Sequence, residues 1–274
     1  MKIINLVEDT AGHNACEFEH GLSFYIETKY HKLLVDTGAT DMSLRNARIL
    51  DIDVTEVDTV VLSHGHYDHS GGIIPFIEKN NKARIYMTET AGGEYYNLKN
   101  DLEKYIGIDK RIMQLPQTVK VEGNLKIDDE LFLFSGIKGN KYPSNGNLTL
   151  KMKTDAGYVQ DTFIHEQCLV ITEDGKNVLL SGCAHNGIIN ILDRYYEIYS
   201  AYPDMVISGF HMIQSTEYTD EDVENIKNIA KELMKTGSVF YSGHCTGQRA
   251  FDIMKEIMGE RLIQIHSGEM ISGI

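Results

Sequence analysis

The sequence has few of the features that mark secreted, membrane-spanning or multidomain proteins. Its four cysteines are scattered without a Cys-x-x-Cys pair, which fits reduced thiols better than a disulfide framework. Only four prolines occur in 274 residues, and no Pro-, Gly- or Ser-rich linker divides the chain. No apolar run approaches the ~20 residues that a membrane span requires, and Glu8 and Asp9 interrupt the segment where a secretory signal is apolar. We therefore expect one domain over residues 1–274, in the cytoplasm and without a membrane partner.

Positive charge is also scarce, since 26 basic residues stand against 40 acidic ones and the formal net charge is −14. Such a surface repels phosphate backbones, which argues against nucleic acid as a partner. A small anionic substrate remains compatible with it, because bound cations reverse the sign of the potential locally. The expected partner is therefore a small molecule, and the sequence carries no signal for an oligomeric state.

Histidine, in contrast, is concentrated in the segment 64–69, which reads His-Gly-His-Tyr-Asp-His and follows a short β-branched run typical of a buried strand. Residues two apart in an extended segment point to the same side, so His64 and His66 can reach one point in space. Beyond the turn, Asp68 and His69 can reach a second point close to the first. Imidazole and carboxylate ligands suit zinc, manganese or iron, and two-metal sites hold their ions about 3.5–4 Å apart. This segment predicts a binuclear metal site.

The remaining patterns predict a layered α/β fold. Strands are expected at 2–8, 22–27, 32–36, 57–62, 84–87, 118–122, 130–134, 162–171, 177–181, 204–207 and 238–241, and helices at 41–51, 72–80, 188–199 and 248–258. The tyrosine-rich segment 93–118 predicts a helix and a loop beside the site, in the position of a substrate lid.

Four of the expected strands end in a small residue that is followed closely by a histidine, namely His64, His185, His211 and His244. Strand–turn–helix units place the residues after each strand along one edge of the sheet, where layered α/β folds build their sites. We therefore expect His185 to complete the first metal position and His244 the second. His165 and His211 are the alternatives for these roles, and His211 is the better placed to contact substrate.

The segment 64–69 resembles the His-x-His-x-Asp-His signature of the metallo-β-lactamase superfamily, and Asp36-Thr-Gly upstream strengthens the resemblance. Five further segments extend it over nearly the whole chain: 19–23, 165–167, 181–187, 209–211 and 243–247. Together they are similar to the branch of 7,8-dihydropterin-6-yl-methyl-4-(β-D-ribofuranosyl)aminobenzene 5′-phosphate synthases. The resemblance implies a four-layer αββα sandwich with two divalent metals, usually zinc, at one edge between two sheets. Manganese and iron are the alternatives.

The predicted site contains two sets of residues. The expected ligands are His64, His66, Asp68, His69, His185 and His244, and Asp68 is expected to orient the attacking water as well. The residues expected behind the ligands or on the substrate side are Asp36, His20, His165, Cys183 and His211. For Asp36 the resemblance implies that its hydrogen bonds hold the metal-binding loop.

Cys183 departs from the superfamily pattern, in which many two-metal members bridge their ions with an aspartate at the corresponding turn. If Cys183 binds as a thiolate, the site is softer and favours zinc over manganese or magnesium. If it stays a buried thiol, the second ion lacks a permanent protein bridge. We take the second interpretation, because His185 lies close enough to serve and a small buried cysteine is commonly inert.

The expected function is that of a metal-dependent hydrolase or related transferase, which acts on a small phosphorylated or heterocyclic substrate through a metal-activated water. One alternative is a di-iron redox enzyme on the same fold. Redox members carry a glutamate where this chain has His66, together with a flavin-binding domain, and both points disfavour that alternative. The other alternative is a non-catalytic sensor of metals or metabolites.

Overall fold

The computed structural model describes residues 1–99, 102–214 and 216–272. The strands in these ranges are β1 (Lys2–Val7), β2 (Ser23–Glu27), β3 (Lys32–Val35), β4 (Thr59–Val61), β5 (Arg84–Thr88), β6 (Tyr95–Lys99), β7 (Leu102–Tyr105), β8 (Thr118–Val121), β9 (Leu125–Lys126), β10 (Leu131–Phe134), β11 (Leu150–Thr154), β12 (Gly157–Gln160), β13 (Cys168–Glu173), β14 (Lys176–Ser181), β15 (Met205–Ser208), β16 (Val239–Ser242), β17 (Leu262–Gln264) and β18 (Met270–Ile271). The α-helices are α1 (Met42–Ile49), α2 (Tyr67–Ser70), α3 (Ile73–Ile77), α4 (Ile188–Tyr199), α5 (Asp220–Thr236) and α6 (Gln248–Met258).

Two mixed seven-stranded sheets form the centre of the fold. The first has the strand order β18-β1-β2-β3-β4-β5-β8, and the second has the order β17-β16-β15-β14-β13-β10-β9. Within each sheet four neighbouring strands are parallel, β3, β4, β5 and β8 in the first and β14 to β17 in the second. Most of these parallel strands are joined through helices, which supply the long crossover that a parallel pair requires.

Three buried apolar clusters separate the layers. One lies between α1–α3 and the first sheet, the next between the two sheets, and the third between the second sheet and α4–α6. Adjacent residues of β4 belong to different clusters, since Val60 packs on the helix side and Val61 packs toward the opposite sheet. Burial of both faces explains why the central strands are apolar without alternation. The expected four-layer αββα sandwich is confirmed.

The helix predicted in the segment 93–118 is wrong, whereas the segment does lie beside the site, since Asn97 and Ile106 line the cavity there. Strands β6 and β7 occupy this segment, and they join β11 and β12 in a separate antiparallel sheet of order β12-β11-β6-β7. Tyr96 explains the difference, because its ring packs across strands at 5.3 Å from the ring centroid of Tyr105 and 5.4 Å from that of Tyr158. Such cross-strand aromatic pairs favour a sheet over a helix.

The start of one strand and the presence of one helix also differ from the expectation. The strand expected at 162–171 begins only at Cys168, because Phe163 has a left-handed backbone (φ 51°) and its N–H donates to the Asp161 carboxylate in a turn. Helix α5 was not predicted at all, although its start carries a complete capping box in which the side chains of Thr219 and Asp222 each accept from the other's backbone N–H. No helix in the described ranges is both long enough and apolar enough to span a membrane.

A close backbone approach positions the metal-binding segment on the first sheet. The chain leaves α2 at Gly71, whose N–H donates to the carbonyl oxygen of Gly38 at 2.8 Å. A Cβ atom on Gly71 would overlap the carbonyl oxygen of Ala39, and one on Gly72 would lie 2.4 Å from that of Thr37 if nothing moved. The turn after β3 and the segment 64–72 are therefore packed backbone against backbone.

Replacement of Gly71 by alanine should destabilise the fold, because the added methyl group must displace the turn at Ala39. We expect a loss of about 1–3 kcal/mol in the free energy of unfolding, as for other overpacked sites. Urea unfolding measures this change, with the exposed Glu256→Ala in α6 as the control. An unchanged midpoint for the Gly71 variant would contradict the described packing.

Candidate metal centre

The carboxyl ends of the parallel strands meet at one edge between the two sheets. Asp36 follows β3 and the segment 64–69 follows β4, whereas Cys183, His211 and His244 follow β14, β15 and β16. The edge thus gathers side chains that are distant in sequence, because every parallel strand ends on the same side of its sheet. Their atoms form two neighbouring groups.

The first group consists of His64, His66 and His185, all buried. The Nε2 atoms of His64 and His185 lie 3.3 Å apart, and the ring of His66 lies 4.6 Å and 4.9 Å from the other two by ring centroid. Nε2 of His66 has no hydrogen-bond partner among the described residues. Burial lowers the pKa of His64 and His185 well below the ordinary value, helped by neighbouring imidazoles, and it lowers the pKa of His66 to about 3. The three rings are therefore neutral.

Hydrogen bonds fix which nitrogen of each ring carries the proton. The hydroxyl of Ser63 donates to Asp36 at 2.7 Å, so its oxygen accepts from Nδ1 of His64 at 2.9 Å. Nδ1 of His185 donates to the amide oxygen of Asn147 at 3.0 Å. In both rings Nε2 consequently holds a lone pair, and the two lone pairs face each other across 3.3 Å. This arrangement is repulsive by itself and favourable around a cation.

The second group consists of Asp68, His69 and His244. Nδ1 of His69 donates to Asp36 at 2.7 Å, which leaves Nε2 free to face the group. Nε2 of His244 lies 3.5 Å from Oδ2 of Asp68. Burial lowers the pKa of His244, but the nearby carboxylates of Asp68 and Asp9 outweigh burial and raise that pKa well above the ordinary value. Burial raises the pKa of Asp68, but the neighbouring His69 and His244 lower it by more, so that this pKa lies below the ordinary value. A bound cation would take the place of the His244 proton.

Asp36 lies behind both groups, as the resemblance implied. Its carboxylate accepts from the N–H and the hydroxyl of Ser63 and from His69, each at 2.7 Å. Its backbone is left-handed (φ 56°), a conformation that costs a residue with a side chain about 1–3 kcal/mol. The surrounding hydrogen bonds hold this carboxylate where it orients two predicted ligands at once.

His165 is placed differently from His185. Its Nδ1 accepts from the N–H of Gly65 at 3.0 Å, and its Nε2 lies 3.1 Å from Oδ2 of Asp161. Both ring nitrogens thus have partners within the protein, one in the backbone of the metal-binding segment and the other in the side chain of Asp161. The neighbouring Glu166 holds the turn that carries His185, because its carboxylate accepts from the backbone N–H of His185 at 2.7 Å.

The remaining predicted residues surround the two groups. His20 is more than half exposed, and it contacts Asp9 through Nδ1 at 2.9 Å and Asp68 through Nε2 at 3.4 Å. Cys183 lies between the groups, with its sulfur 3.2 Å from Nε2 of His69. The ring of His211 packs on that of His185 with 4.1 Å between centroids.

Sequence reasoning missed several residues that orient the predicted ligands: Asp9, Ser63, Asn147, Asp161 and Glu166. Glu166 lies in the segment 165–167 that carries part of the resemblance, and Asp9, Ser63 and Asp161 adjoin expected strands, whereas no local pattern marks Asn147.

A cavity of about 1070 Å³ opens over the centre. His66, Asp68 and Cys183 contribute to its lining near the two groups. The β6–β7 hairpin contributes Lys99 and Lys104 to another part of the lining. Apolar side chains complete it, among them Ile106, Leu150, Ile188, Phe210 and Ile226.

The comparisons with known proteins agree with this architecture. The profile of the metallo-beta-lactamase superfamily matches residues 17–220. A 7,8-dihydropterin-6-methyl-4-(beta-D-ribofuranosyl)-aminobenzene-5′-phosphate synthase of Methanocaldococcus jannaschii is 30% identical over 99% of this chain and 96% of its own length. A metal-dependent hydrolase of Staphylococcus carnosus is 37% identical over 26% of this chain and 30% of its own length.

Solved structures show the same fold. The crystal structure of a metal-dependent hydrolase of the beta-lactamase superfamily superposes with a TM-score of 0.79 at 29% identity, and the match covers 100% of this chain and 99% of that one. Zinc-bound PqqB of Methylobacterium extorquens has a TM-score of 0.55 at 12% identity over 99% and 100% of the two chains, which is a likeness of fold alone. The match over 17–220, the full-length relative and the shared architecture together show that this chain belongs to the metallo-β-lactamase superfamily.

Proposed function

We propose that this protein is a metal-dependent hydrolase or related transferase whose centre binds two divalent ions, most favourably zinc. The observation that carries the proposal is the pair of Nε2 lone pairs on His64 and His185, which face each other at 3.3 Å in a buried site. Two buried lone pairs that repel each other are rare in proteins. A cation between them would be bound by both nitrogens, and the contact would then be favourable. The neutral imidazoles and the ionised Asp68 are the donor set that zinc prefers.

Each of the two groups would supply the ligands of one metal ion. His64, His66 and His185 would hold the first ion, and Asp68, His69 and His244 would hold the second. When bound there, two divalent ions would lower the pKa of a water molecule toward ~7 and would polarise an oxygen of the substrate. Asp68 faces the cavity beside both His20 and His244, so its carboxylate can orient the attacking water.

The cavity supports a small anionic substrate that also carries an apolar or heterocyclic part. Lys99 and Lys104 place positive charge on its lining in a protein of net charge −14. Nζ of Lys104 lies 3.1 Å from the hydroxyl of Tyr67, and the two together can bind a phosphate oxygen. The relative from M. jannaschii is named for a product with a pterin, a ribofuranosyl-aminobenzene unit and a phosphate, and a molecule of that chemistry suits such a lining.

Replacement of His66 by alanine should reduce the metal content of the purified protein, because the first position would lose one of its three nitrogen ligands. Atomic emission after dialysis gives the ions bound per chain for the variant and the wild type. The exposed His13→Ala is the matched control and should keep the full content. An unchanged content in the His66 variant would remove this residue from the ligand set.

Replacement of Asp36 by asparagine should weaken metal binding about 10–100-fold, because a neutral amide cannot accept from Ser63 and His69 as the carboxylate does. Competition with a chromophoric chelator measures the affinity. Asp41→Asn, at an exposed position in the next turn, is the control. Equal affinities for the two variants would show that Asp36 does not orient the ligands.

Replacement of Lys104 by alanine should raise KM about fivefold for a phosphate ester and leave kcat nearly unchanged, which is the size expected for one partly exposed charge contact. The KM for a neutral lactone should not change. Lys231→Ala on the exposed side of α5 serves as the control for net charge. An equal effect on both substrates would contradict a role for Lys104 in binding the anion.

A further inference from the structure

A second cluster of metal-ligating side chains adjoins the proposed binuclear centre. It consists of Cys183, Cys245 and His211, which follow the neighbouring strands β14, β16 and β15. One ligand atom from each lies within 4.8 Å of the other two. We call these three residues the sulfur site. His211 and Cys245 belong to neither proposed metal position, so the function proposed above leaves both unexplained.

The polar atoms of the sulfur site have few partners within the protein. Both ring nitrogens of His211 are shielded from solvent and have no hydrogen-bond partner among the described residues. The thiol of Cys245 is buried, and its hydrogen bond goes to the carbonyl oxygen of Cys183 at the long distance of 3.6 Å. Buried polar groups are usually hydrogen-bonded, and exceptions call for a reason such as a ligand. A bound cation would satisfy all three side chains.

Glycines keep space for the site. A Cβ atom on Gly209 would lie 2.5 Å from the sulfur of Cys245, and one on Gly146 would lie 3.2 Å from Nε2 of His211. The backbone of His211 itself is left-handed (φ 46°), which is unfavourable for a residue with a side chain. Strained residues of this kind persist where the surrounding structure holds them, and they cluster at functional sites.

The donor atoms indicate the kind of ion. Two thiols and an imidazole are soft ligands that select zinc over magnesium, calcium or manganese. Two cysteines and one histidine with a fourth position left open form a known class of catalytic zinc site. All three residues also line the cavity, so an ion can enter and its fourth position can face the substrate.

We propose that Cys183, Cys245 and His211 bind a third, thiophilic divalent ion, separate from the two ions of the histidine-rich centre. Cys183 is the link between them, because its sulfur also lies 3.2 Å from Nε2 of His69 and can bridge the third ion to the second. This role replaces the inert thiol that we expected for Cys183 from the sequence. The inference concerns a separate set of ligands, and it holds whatever substrate the enzyme takes.

Cobalt titration tests the third position. The full-length protein is freed of metal with a chelator and titrated with Co²⁺, while visible absorption reports all bound cobalt and a near-ultraviolet charge-transfer band reports cobalt bound to thiolate. We expect three equivalents and a strong thiolate band for the wild type. Cys245→Ala should bind two equivalents and lose most of the thiolate band. Cys168→Ala is the control, since Cys168 is also buried but lies at the start of β13, in the core between the second sheet and the helices.

A second variant, His211→Ala, keeps the test valid if Cys245→Ala fails to fold. It should also bind one equivalent less than the wild type, with an unchanged circular dichroism spectrum. A thiolate band that persists unchanged in Cys245→Ala would overturn the proposal and assign the sulfur of Cys183 to the second ion alone. Two equivalents without a thiolate band in the wild type would overturn the proposal and leave the proposed function intact. Failure of the wild type to bind cobalt would overturn both.

Discussion

The carboxylate of Asp36 is the constraint on which the candidate centre depends. It accepts directly from His69, and it orders the hydroxyl of Ser63, which in turn accepts from His64. One buried charge thereby sets the tautomer of a predicted ligand in each of the two groups. The left-handed backbone of Asp36 shows that the fold supports an unfavourable local conformation to keep this carboxylate in place.

Hydrogen bonds also orient His185, the predicted ligand that follows a strand of the second sheet, but they come from other residues. Asn147 sets the tautomer of His185, while Glu166 holds the backbone of the turn that carries it. His165 and Asp161 connect the two sheets, because His165 accepts from Gly65 in the segment that follows β4. Four of the six predicted ligands, His64, His69, His185 and His244, thus have a hydrogen-bond partner behind them, which reduces the number of orientations that a metal ion would have to select on binding.

The layered architecture explains why these residues meet and why the site is accessible. Two sheets with both faces buried bring the ends of their parallel strands to one edge, where the backbone no longer forms ladders and side chains can converge. The small sheet of β6, β7, β11 and β12 stands beside that edge and contributes to the lining of the cavity. The sandwich therefore carries the predicted metal ligands, and the small sheet supplies part of the lining of the cavity.

The sequence by itself indicated a layered α/β fold, most of the central strands and the cluster of side chains at 64–69, because buried strands and the spacing of histidines are local patterns. The four-layer arrangement followed from the resemblance to the superfamily. It also marked Asp36, His185 and His244, since each follows an apolar strand at a turn. Only the tertiary structure decided which ring nitrogens face one another in the candidate site, and that His165 contacts the backbone of Gly65 while His185 faces His64. The small sheet depended on contacts such as that between Tyr96 and Tyr158, which are 62 residues apart in sequence. The position of Cys183 beside Cys245 and His211 required three strands in register. Tautomers and long-range pairings leave no trace in a local pattern, because they depend on partners that only the folded chain brings together.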